Sequence, residues 1–465
     1  FQNNLLMGAA AATSGSTAFS VGNSLMLEMA DSAYLNRTFG TPTDNKKWTY
    51  STWVKRGKFA DTQCFGLGAL VSSTGSKVGY LIFGPSNADT LQFYNEYYHG
   101  TGTTGSIVTN NLFRDPHAWY HVVVIYDSNN DVTSERIKLF VNGKLVGNNG
   151  TATYPNDGTQ PVVNSAIVHY IGRDNTIQNS YFSGYLAECV FCDGQAYSPE
   201  NFGEYDGNNI WRPKDPSTLT FGDNGFYLNF ADSSDLGNDV SGNSNDWTSN
   251  NLAAGDQSTD TPTANQCVLT PLWTGGTVSQ GNLTLTATAN AYQWGISSVA
   301  IPTSGKWAFE AQRTSGTFGQ VGVVQIGNDG NTTPTGSYYS IYKGIGTAEV
   351  VKNGSVLVSG VADPGASVVR CEYDADNKTI KFFDDGTEIF PAATGASDDF
   401  DLTGHDSLHF FVGAYESGCS FDVTFSNLTG TPTSGFKELS AANLTTPTIK
   451  NPQQYMDTFA YLGNG

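Results

Sequence analysis

The sequence predicts an all-β protein with two antiparallel β-sandwich domains of the jelly-roll type in tandem. Its 465 residues include 52 glycines and 12% aromatic side chains but only 14% charged ones, as expected of short strands joined by many turns. Asn142-Gly143, Asn353-Gly354 and Asp385-Gly386 each separate two apolar or β-branched runs, which is typical of tight hairpins. A chain of this length also exceeds what one hydrophobic core usually organises.

Composition divides the chain into segments. Residues 1–22 are rich in small side chains and are predicted to form an N-terminal arm outside the core, used as a leader or for docking. Residues 23–250 are predicted to form the first sandwich, with a closing strand and an Asp-rich loop from 216 onward. Residues 251–265, rich in Thr, Asp and Pro, are predicted to be a linker. A second sandwich is predicted over 266–432, and 433–465 is a linker or the start of a further domain.

The first block carries a series of ordered strand motifs. They are WVKRG at 53–57, WYHVVVIY at 119–126, LFVNGK at 139–144, YIGR at 170–173 and FSGYLAE at 182–188. Together they resemble the laminin-G-like, concanavalin A-type jelly roll over about residues 24–215. The continuation, YSPENFG at 197–203 and WRPK at 211–214, is similar to modules of marine bacteriophage virion and fibre proteins. The resemblance implies a lectin-like sandwich, often displayed on a virion surface.

The second block resembles a SPRY domain. The residues that carry this resemblance are WAFE at 307–310, CEYD at 371–374, TIKFF at 379–383 and HFFVG at 409–413. The resemblance implies a binding module whose loops at one end contact a partner. Apolar and charged residues alternate strictly over 369–374, which predicts a strand with one buried face and one face in water.

Bulk properties exclude some partners. A formal net charge of −20 argues against nucleic-acid binding, because counterion release needs a basic surface. No apolar run approaches the length of a membrane span. The six cysteines lack the spacing of a metal site, and Cys189 and Cys192 are three apart in a predicted strand, so their sulfurs should point to opposite faces. We therefore expect unpaired, mostly buried thiols.

The sequence predicts no catalytic residues. It contains no nucleophile elbow, zincin or phosphate-loop motif. The nearest match to the paired carboxylates of a retaining glycosidase is Glu372-Tyr373-Asp374-Ala375-Asp376. Its carboxylates lie on the predicted solvent face of an alternating strand that leads into a turn. We therefore expect a structural strand there and a protein that is not an enzyme.

Aromatic residues are the candidates for ligand binding. Tryptophans and tyrosines inside strongly patterned strands are expected to pack between the sheets: Trp48, Trp53, Trp119, Tyr120 and Trp307. Aromatic and imidazole side chains in less patterned segments are the better candidates for an exposed ligand site: Tyr94, Tyr97, Tyr98, His99, Tyr338 and Tyr339.

An acidic cluster follows the first block. Calcium takes six to eight oxygen ligands from carboxylates, amides and backbone carbonyls on a flexible loop. The residues that could supply them are Asp232, Asp235, Asp239, Asn243 and Asp246. The spacing is not that of an EF-hand. The alternative is an acidic, turn-rich loop exposed to solvent.

Three classes of function are compatible with these observations. The favoured one is a phage surface or fibre protein that binds host glycans or receptors, assembles with virion proteins and with copies of itself, and lies on the virion or outside the cell. The alternative is a bacterial extracellular adhesin or a general carbohydrate- or protein-binding module. A concanavalin A-type glycosidase is the least favoured.

Overall fold

The computed structural model describes residues 19–59, 63–70, 78–84, 89–96, 105–146, 151–174, 180–325, 338–343, 347–352, 355–362, 364–389 and 408–444. Within these residues the chain consists of strands, and its helical elements are single 3-10 turns such as Met29–Asp31 and Pro199–Asn201. The predicted all-β fold class is confirmed. No helix in this part of the chain is long and apolar enough to cross a membrane.

The first sandwich contains two large antiparallel sheets, with a separate two-stranded sheet formed by Gly203–Tyr205 and Trp211–Pro213. Its strands are β1 (Ser24–Leu27), β2 (Tyr34–Thr38), β3 (Lys47–Arg56), β4 (Gln63–Cys64), β5 (Leu67–Leu70), β6 (Val78–Phe83), β7 (Thr90–Asn95), β8 (Gly105–Leu112), β9 (Trp119–Asp127), β10 (Ile137–Val141), β11 (Lys144–Val146), β12 (Thr151–Thr153), β13 (Val168–Ile171), β14 (Gly184–Asp193), β15 (Gly203–Tyr205), β16 (Trp211–Pro213), β17 (Phe226–Leu228), β18 (Thr248–Asn250) and β19 (Gln257–Ser258). The β3 sheet has the order β11-β10-β9-β3-β14-β1-β19, with β17 on β14. The β6 sheet has the order β12-β8-β7-β6-β5-β13-β2-β18, with β4 on β6.

The core of this sandwich is built by alternation along the strands. Leu35, Leu81 and Phe93 of the β6 sheet face Val124 and Leu186 of the β3 sheet in one buried cluster. The hairpin predicted at Asn142-Gly143 is confirmed: both residues have positive φ, 49° and 75°, as a type I′ turn requires, and Val141 pairs with Lys144.

An outer layer, residues 194–221, covers the other face of the β3 sheet. Phe202 and Phe221 of this layer pack on Val123 and Val190, and Trp211 packs beside Trp53. The prediction that the strand tryptophans pack between the sheets is confirmed for Trp48 and Trp307 and is wrong for Trp53 and Trp119. Trp48 and Trp307 belong to the clusters between the sheets, whereas Trp53 and Trp119 are buried beneath this outer layer.

The second sandwich also has two sheets. Its strands are β20 (Leu269–Thr274), β21 (Thr277–Ser279), β22 (Thr284–Thr286), β23 (Gln293–Ser297), β24 (Lys306–Ser315), β25 (Gly319–Gln325), β26 (Tyr338–Lys343), β27 (Thr347–Lys352), β28 (Ser355–Ala362), β29 (Val368–Asp374), β30 (Thr379–Asp384), β31 (Thr387–Glu388), β32 (Leu408–Ala414), β33 (Ser420–Thr424) and β34 (Lys437–Glu438). The β25 sheet has the order β20-β23-β32-β25-β26-β27-β28. The β24 sheet has the order β21-β22-β33-β24-β29-β30-β31, with β34 on β24. Phe309, Val321, Phe382 and Phe410 lie in the core between them.

Segments predicted to lie outside the cores contribute to them. Phe19 and Val21 come from the predicted arm, yet Val21 is buried beside Trp53, because it is an apolar residue at the end of a run of small ones. Residues 1–18 lie outside the described part of the chain. In the predicted linker, β19 pairs with β1, and in the predicted tail β34 pairs with β24 while Leu439 is fully buried.

The prediction of a solvent face on strand β29 is wrong. Arg370, Glu372 and Asp374 alternate with core residues as expected, but they are 4%, 0% and 4% exposed. The reason is that residues 429–433 cross this face: the Thr433 amide donates to Glu372 Oε1 at 2.8 Å, and the Thr429 and Gly430 amides donate to Glu310 on the neighbouring strand β24. The six cysteines are all buried and unpaired, as predicted.

A buried charged network joins the two sandwiches at Asp260. The Lys55 ammonium on β3 donates to Asp260 Oδ2 at 2.6 Å and to Asn265 Oδ1 at 2.9 Å. The Trp119 indole and the Gln266 amide donate to Asp260 Oδ1 at 3.1 and 3.2 Å. The side chains of Lys55 and Asp260 are 1% and 3% exposed. The network therefore holds the chain where it leaves the first sandwich and enters the second.

Further hydrogen bonds across the junction come from the loop before β22. The Tyr185 hydroxyl donates to the Gly281 carbonyl at 2.7 Å, and the Gln280 amide donates to Glu28 Oε2 at 2.8 Å. Gly281 has a φ of +63°, and a Cβ there would lie 2.0 Å from the Tyr185 hydroxyl oxygen. Only a glycine allows this close approach between the domains.

A β-bulge in β14 contains a strained acidic residue. The register between β14 and β3 shifts between Ala187 and Val190, and Glu188 within the bulge has a φ of +50°. The Tyr227 hydroxyl donates a 2.5 Å hydrogen bond to Glu188 Oε2. Burial raises the pKa of Glu188 to about 7, and the hydrogen bond from Tyr227 opposes this rise only in part. The folded chain therefore favours the protonated acid.

We expect Asp260→Ala to lower the free energy of unfolding by about 3–5 kcal/mol, because the buried Lys55 ammonium loses its counter-ion. Urea unfolding followed by tryptophan fluorescence measures this loss. The matched control is Asp31→Ala, which removes an exposed junction contact to Gln280 and should cost less than about 0.5 kcal/mol. Equal effects of the two substitutions would contradict a dominant role of the Asp260 network.

We also expect Glu188 to make stability depend on pH. Its pKa is higher in the folded chain, about 7, than the ordinary value of 4.5, so its stabilising contribution is complete below about pH 4.5 and is lost as the pH rises through about 7. Glu188→Gln should flatten this decline in urea unfolding compared at about pH 5 and about pH 8. Glu204→Gln, a change at an exposed glutamate on β15, should leave the decline as it is. An equal decline in wild type and Glu188→Gln would refute the assignment.

Candidate functional site

The outward face of the β6 sheet carries a group of half-buried aromatic residues. Because core residues such as Leu35, Leu81 and Phe93 point inward, the alternate positions on the same strands point outward. We call the resulting surface the tyrosine face. Its members are Tyr34, Tyr80, Tyr94, Tyr170, Tyr181 and Arg173.

One half of the tyrosine face is a stacked pair. Tyr80 on β6 and Tyr94 on β7 are register partners, and their ring centroids lie 5.1 Å apart with an interplanar angle of 18°. Burial raises the pKa of Tyr80 to about 12, and the nearby Tyr94 and Asp174 act in the same direction. The Tyr80 hydroxyl therefore keeps its proton at neutral pH and can both donate and accept a hydrogen bond.

The other half is a cluster around Arg173. The guanidinium carbon lies 4.7, 5.3 and 5.1 Å from the ring centroids of Tyr34, Tyr170 and Tyr181, respectively. Tyr34 is 6.0 Å from Tyr170 and 6.2 Å from Tyr181, with tilted rings. These cation–π contacts hold the three rings around one planar cation.

Gly68 lies between the two halves. It pairs with Tyr170 across β13, and the next residue of β5, Ala69, pairs with Gly79, which precedes Tyr80. Gly68 has no side chain, and a Cβ there would lie 3.1 Å from the Arg173 carbonyl oxygen. Gly68 is itself buried, so the backbone at Arg173 packs closely over this position between the two aromatic halves.

This arrangement suits recognition of a flat, hydroxylated ring. Tyrosines supply broad, rigid contact area at a low cost in side-chain entropy, and their hydroxyls fix orientation. Asn36 on β2 adds an amide beside Tyr170, and Ser106 on β8 adds a hydroxyl beside Tyr94. Aromatic faces combined with neutral hydrogen-bonding groups are what a sugar ring can use.

The aromatic residues predicted from the sequence are divided by the structure. Tyr94 belongs to the tyrosine face. Tyr97, Tyr98 and His99 follow β7 shortly afterwards in the sequence, but they lie outside the described residues. The backbones of Tyr338 and Tyr339 form part of β26, and their side chains are outside the described part of the structure. Sequence reasoning missed the rest of the face, since its members lie on separate strands.

The Asp-rich loop uses its polar groups within its own turns. Asp232 accepts hydrogen bonds from Ser234, and Asp235 accepts one from the Gly237 amide. Asp239 accepts hydrogen bonds from the backbone amides of Tyr227, Ser241 and Asn245. Asp246 accepts one from the Asp239 amide. Asn243 donates its side-chain amide to two backbone carbonyls. Among the described residues, no group of three or more His, Cys, Asp or Glu side chains could hold a metal ion. Calcium binding by this loop stays a prediction.

A buried serine–histidine pair lies under the outer layer. The Trp211 indole donates to His121 Nδ1 at 2.9 Å, so the neutral imidazole carries its proton on Nε2 and donates it to Ser51 Oγ at 2.8 Å. Burial lowers the pKa of His121 to about 3. A serine nucleophile needs a histidine nitrogen that accepts its proton. The orientation here is the reverse, and both residues are buried, so the pair serves packing.

The carboxylates of the glycosidase-like motif do not form an open pair. Glu372 accepts hydrogen bonds from Arg370 Nε and the Thr433 amide. Asp374 accepts from Asn377 and forms an ion pair with Lys306 at 3.0 Å. Both carboxylates are buried and engaged by these partners.

Comparison with known families supports the resemblance of the first sandwich. Residues 30–200 match a laminin G family model described as the concanavalin A-like lectin/glucanases superfamily. This range contains every member of the tyrosine face. The predicted laminin-G-like fold of the first block is therefore confirmed. A comparison with curated proteins finds no significant match.

Solved structures of low identity are also similar to the chain. Domains LG4-5 of the mouse laminin alpha1 chain share 9% identity over 90% of this chain and 93% of that chain, with a TM-score of 0.31. The SPRY domain of human HERC1 shares 18% identity over 34% of this chain and 99% of that domain, with a TM-score of 0.27. A candidate carbohydrate-binding protein from Bacteroides ovatus shares 18% identity over 50% of this chain, with a TM-score of 0.35, and the match spans only 59% of that protein's length. Laminin G and SPRY folds are thus both found among the similar structures.

Proposed function

We propose that this protein is a non-enzymatic carbohydrate-binding protein and that the tyrosine face binds the sugar. The observation that carries the proposal is the placement of four half-buried tyrosines at outward positions of a single sheet, beside Arg173 and Tyr181, which pair in an adjoining β-bridge. That sheet lies in the part of the chain that matches a lectin-related family model.

The geometry favours a sugar over other small ligands. A ring that stacks on this face can contact the Tyr80–Tyr94 pair or the tyrosines around Arg173. Stacking on these rings buries its apolar C–H face, while the phenol hydroxyls and Asn36 remain at the sides for its hydroxyl groups. An open face of this kind gives modest affinity, which rises when several copies engage one surface.

Two features support the absence of catalysis. The Ser51–His121 pair points its proton the wrong way for nucleophilic attack, and its burial keeps substrate away. Glu372 and Asp374 are engaged by Arg370, Lys306 and backbone amides, so they lack the paired, accessible geometry that glycoside hydrolysis needs.

We further propose that the protein works on the surface of a phage particle, where many copies attach the particle to host glycans. This setting rests on the motifs at 197–203 and 211–214 and on the gain that weak sites obtain from repeated display. A general carbohydrate-binding module or a bacterial adhesin is compatible with the same fold. Antibody detection of the chain on purified phage particles supports the proposal, and its absence from all such particles contradicts it.

Tyr80→Ala and Tyr170→Ala should each weaken glycan binding about 10-fold, since each removes a central aromatic contact. A glycan microarray identifies the ligands of the wild-type chain, and calorimetric titration with the strongest one measures the loss. The matched control is Tyr415→Ala, which removes an exposed tyrosine of the second sandwich and should leave this affinity unchanged. Wild-type affinity of both face variants would refute the site. Release of reducing sugar from the bound glycan would refute the absence of catalysis.

A further inference from the structure

A cavity of about 280 Å³ lies on the outer face of the β24 sheet, far along the chain from the tyrosine face. Its size is close to the lower end of the range for small-molecule sites, roughly 300–1,000 Å³. Its wall includes one buried cation. The residues that line it are Glu310, Val368, Arg370, Asp385, Gly386, Thr429, Gly430 and Thr431.

The Arg370 side chain is held rigidly at this cavity. Its Nε donates to Glu372 Oε1 at 3.0 Å, its Nη1 lies 3.8 Å from Glu310 Oε1, and its guanidinium carbon lies 4.5 Å from the centroid of the Phe383 ring. The side chain is only 5% exposed. Among the described residues none accepts a hydrogen bond from its two terminal nitrogens, which are not fully buried. These N–H groups are therefore directed to the cavity that Arg370 lines.

The two carboxylates beside Arg370 are buried and bind groups of the protein, although Glu372 Oε2 has no hydrogen-bond partner among the described residues. Glu310 accepts hydrogen bonds from the Thr429 amide and hydroxyl, both at 2.7 Å, and from the Gly430 amide at 3.0 Å. Glu372 accepts from Arg370 and the Thr433 amide. The carboxylates thus hold the arginine and the covering loop in position. Their role is to fix the donor groups of the cavity.

Gly430 brings the covering loop close to the arginine. A Cβ at this position would lie 2.5 Å from Arg370 Nη1 and 3.1 Å from Glu310 Oε1. The close approach keeps the loop flat against the ion pair. It also leaves the cavity open between this loop and the Asp385-Gly386 turn.

We propose that this cavity, the arginine pocket, binds one neutral sugar unit. The guanidinium supplies N–H donors, Asp385 supplies a carboxylate acceptor at the mouth, and Thr431 supplies a hydroxyl. An anionic ligand would be repelled by Asp385, Glu310 and Glu372. A cationic ligand would be repelled by the Arg370 guanidinium. A neutral ligand with several hydroxyl groups can use donor and acceptor together. The proposal does not depend on the tyrosine face.

The test uses the arginine side-chain signals in an NMR spectrum of the ¹⁵N-labelled full chain. The Arg370 Nε–H signal is assigned by its loss in Arg370→Lys. The probes are the methyl glycosides of glucose, galactose, mannose and N-acetylglucosamine. We expect at least one of them to shift the Arg370 signal in a saturable way. Thr431→Val should weaken that binding about fivefold, since it removes one hydrogen-bonding hydroxyl.

Two controls separate this site from the tyrosine face. Tyr80→Ala should leave the titration of the Arg370 signal unchanged, whatever its effect on glycan binding elsewhere. Should Arg370→Lys fail to fold, the test is read from the arginine Nε–H signal that a glycoside shifts in the wild type and shifts more weakly in Thr431→Val. The proposal is overturned if no glycoside shifts the signal, if Thr431→Val binds as the wild type does, or if lysine amide shifts the signal and the glycosides do not.

Discussion

The ion pair between Lys55 and Asp260 is the constraint on which the arrangement of the whole chain depends. A buried ammonium is costly to desolvate, and it is tolerated only where its partners are held in place. Here those partners come from the segment between the sandwiches, so Asp260, Asn265 and Gln266 must take one path. The same carboxylate binds the Trp119 indole of the β3 sheet. The segment that joins the domains is thereby part of the first core's edge and cannot act as a free tether.

The use of the outer faces follows from this packing. In the first sandwich the outer face of the β3 sheet is covered by residues 194–221, which bury Trp53 and His121. The outer face of the β6 sheet keeps half-buried tyrosines instead. A contiguous group of large aromatic side chains at outward strand positions is typical of an interaction site. The charged residues of β29 are an intermediate case, since a loop covers them but leaves a cavity beside Arg370.

Sequence patterns predicted the fold better than the sites, for physical reasons. Hairpins such as Asn142-Gly143 are local, because the positive φ values of two adjacent residues decide the turn. Alternation over 369–374 correctly divided the two faces of β29, but it could not reveal that residues 429–433 replace water on one of them. The tyrosine face depends on register between β2, β6, β7 and β13, which brings together residues far apart in the chain. Of this face, only Tyr94 was identified beforehand, because it lies beside other aromatic residues.

Because the junction between the sandwiches is fixed, the tyrosine face and the arginine pocket can act together on one ligand. If the tyrosine face and the arginine pocket each bind a sugar unit, the Asp260 network and the Tyr185–Gly281 contact set the distance between them. A flexible tether would let both sites reach many spacings, whereas a rigid junction gives a high effective concentration only to ligands whose sugar units match that distance. Selectivity can then arise from the spacing of two weak sites, without a deep pocket at either. The buried lysine, which adds little to stability compared with an apolar pair, is in this view retained because it fixes geometry.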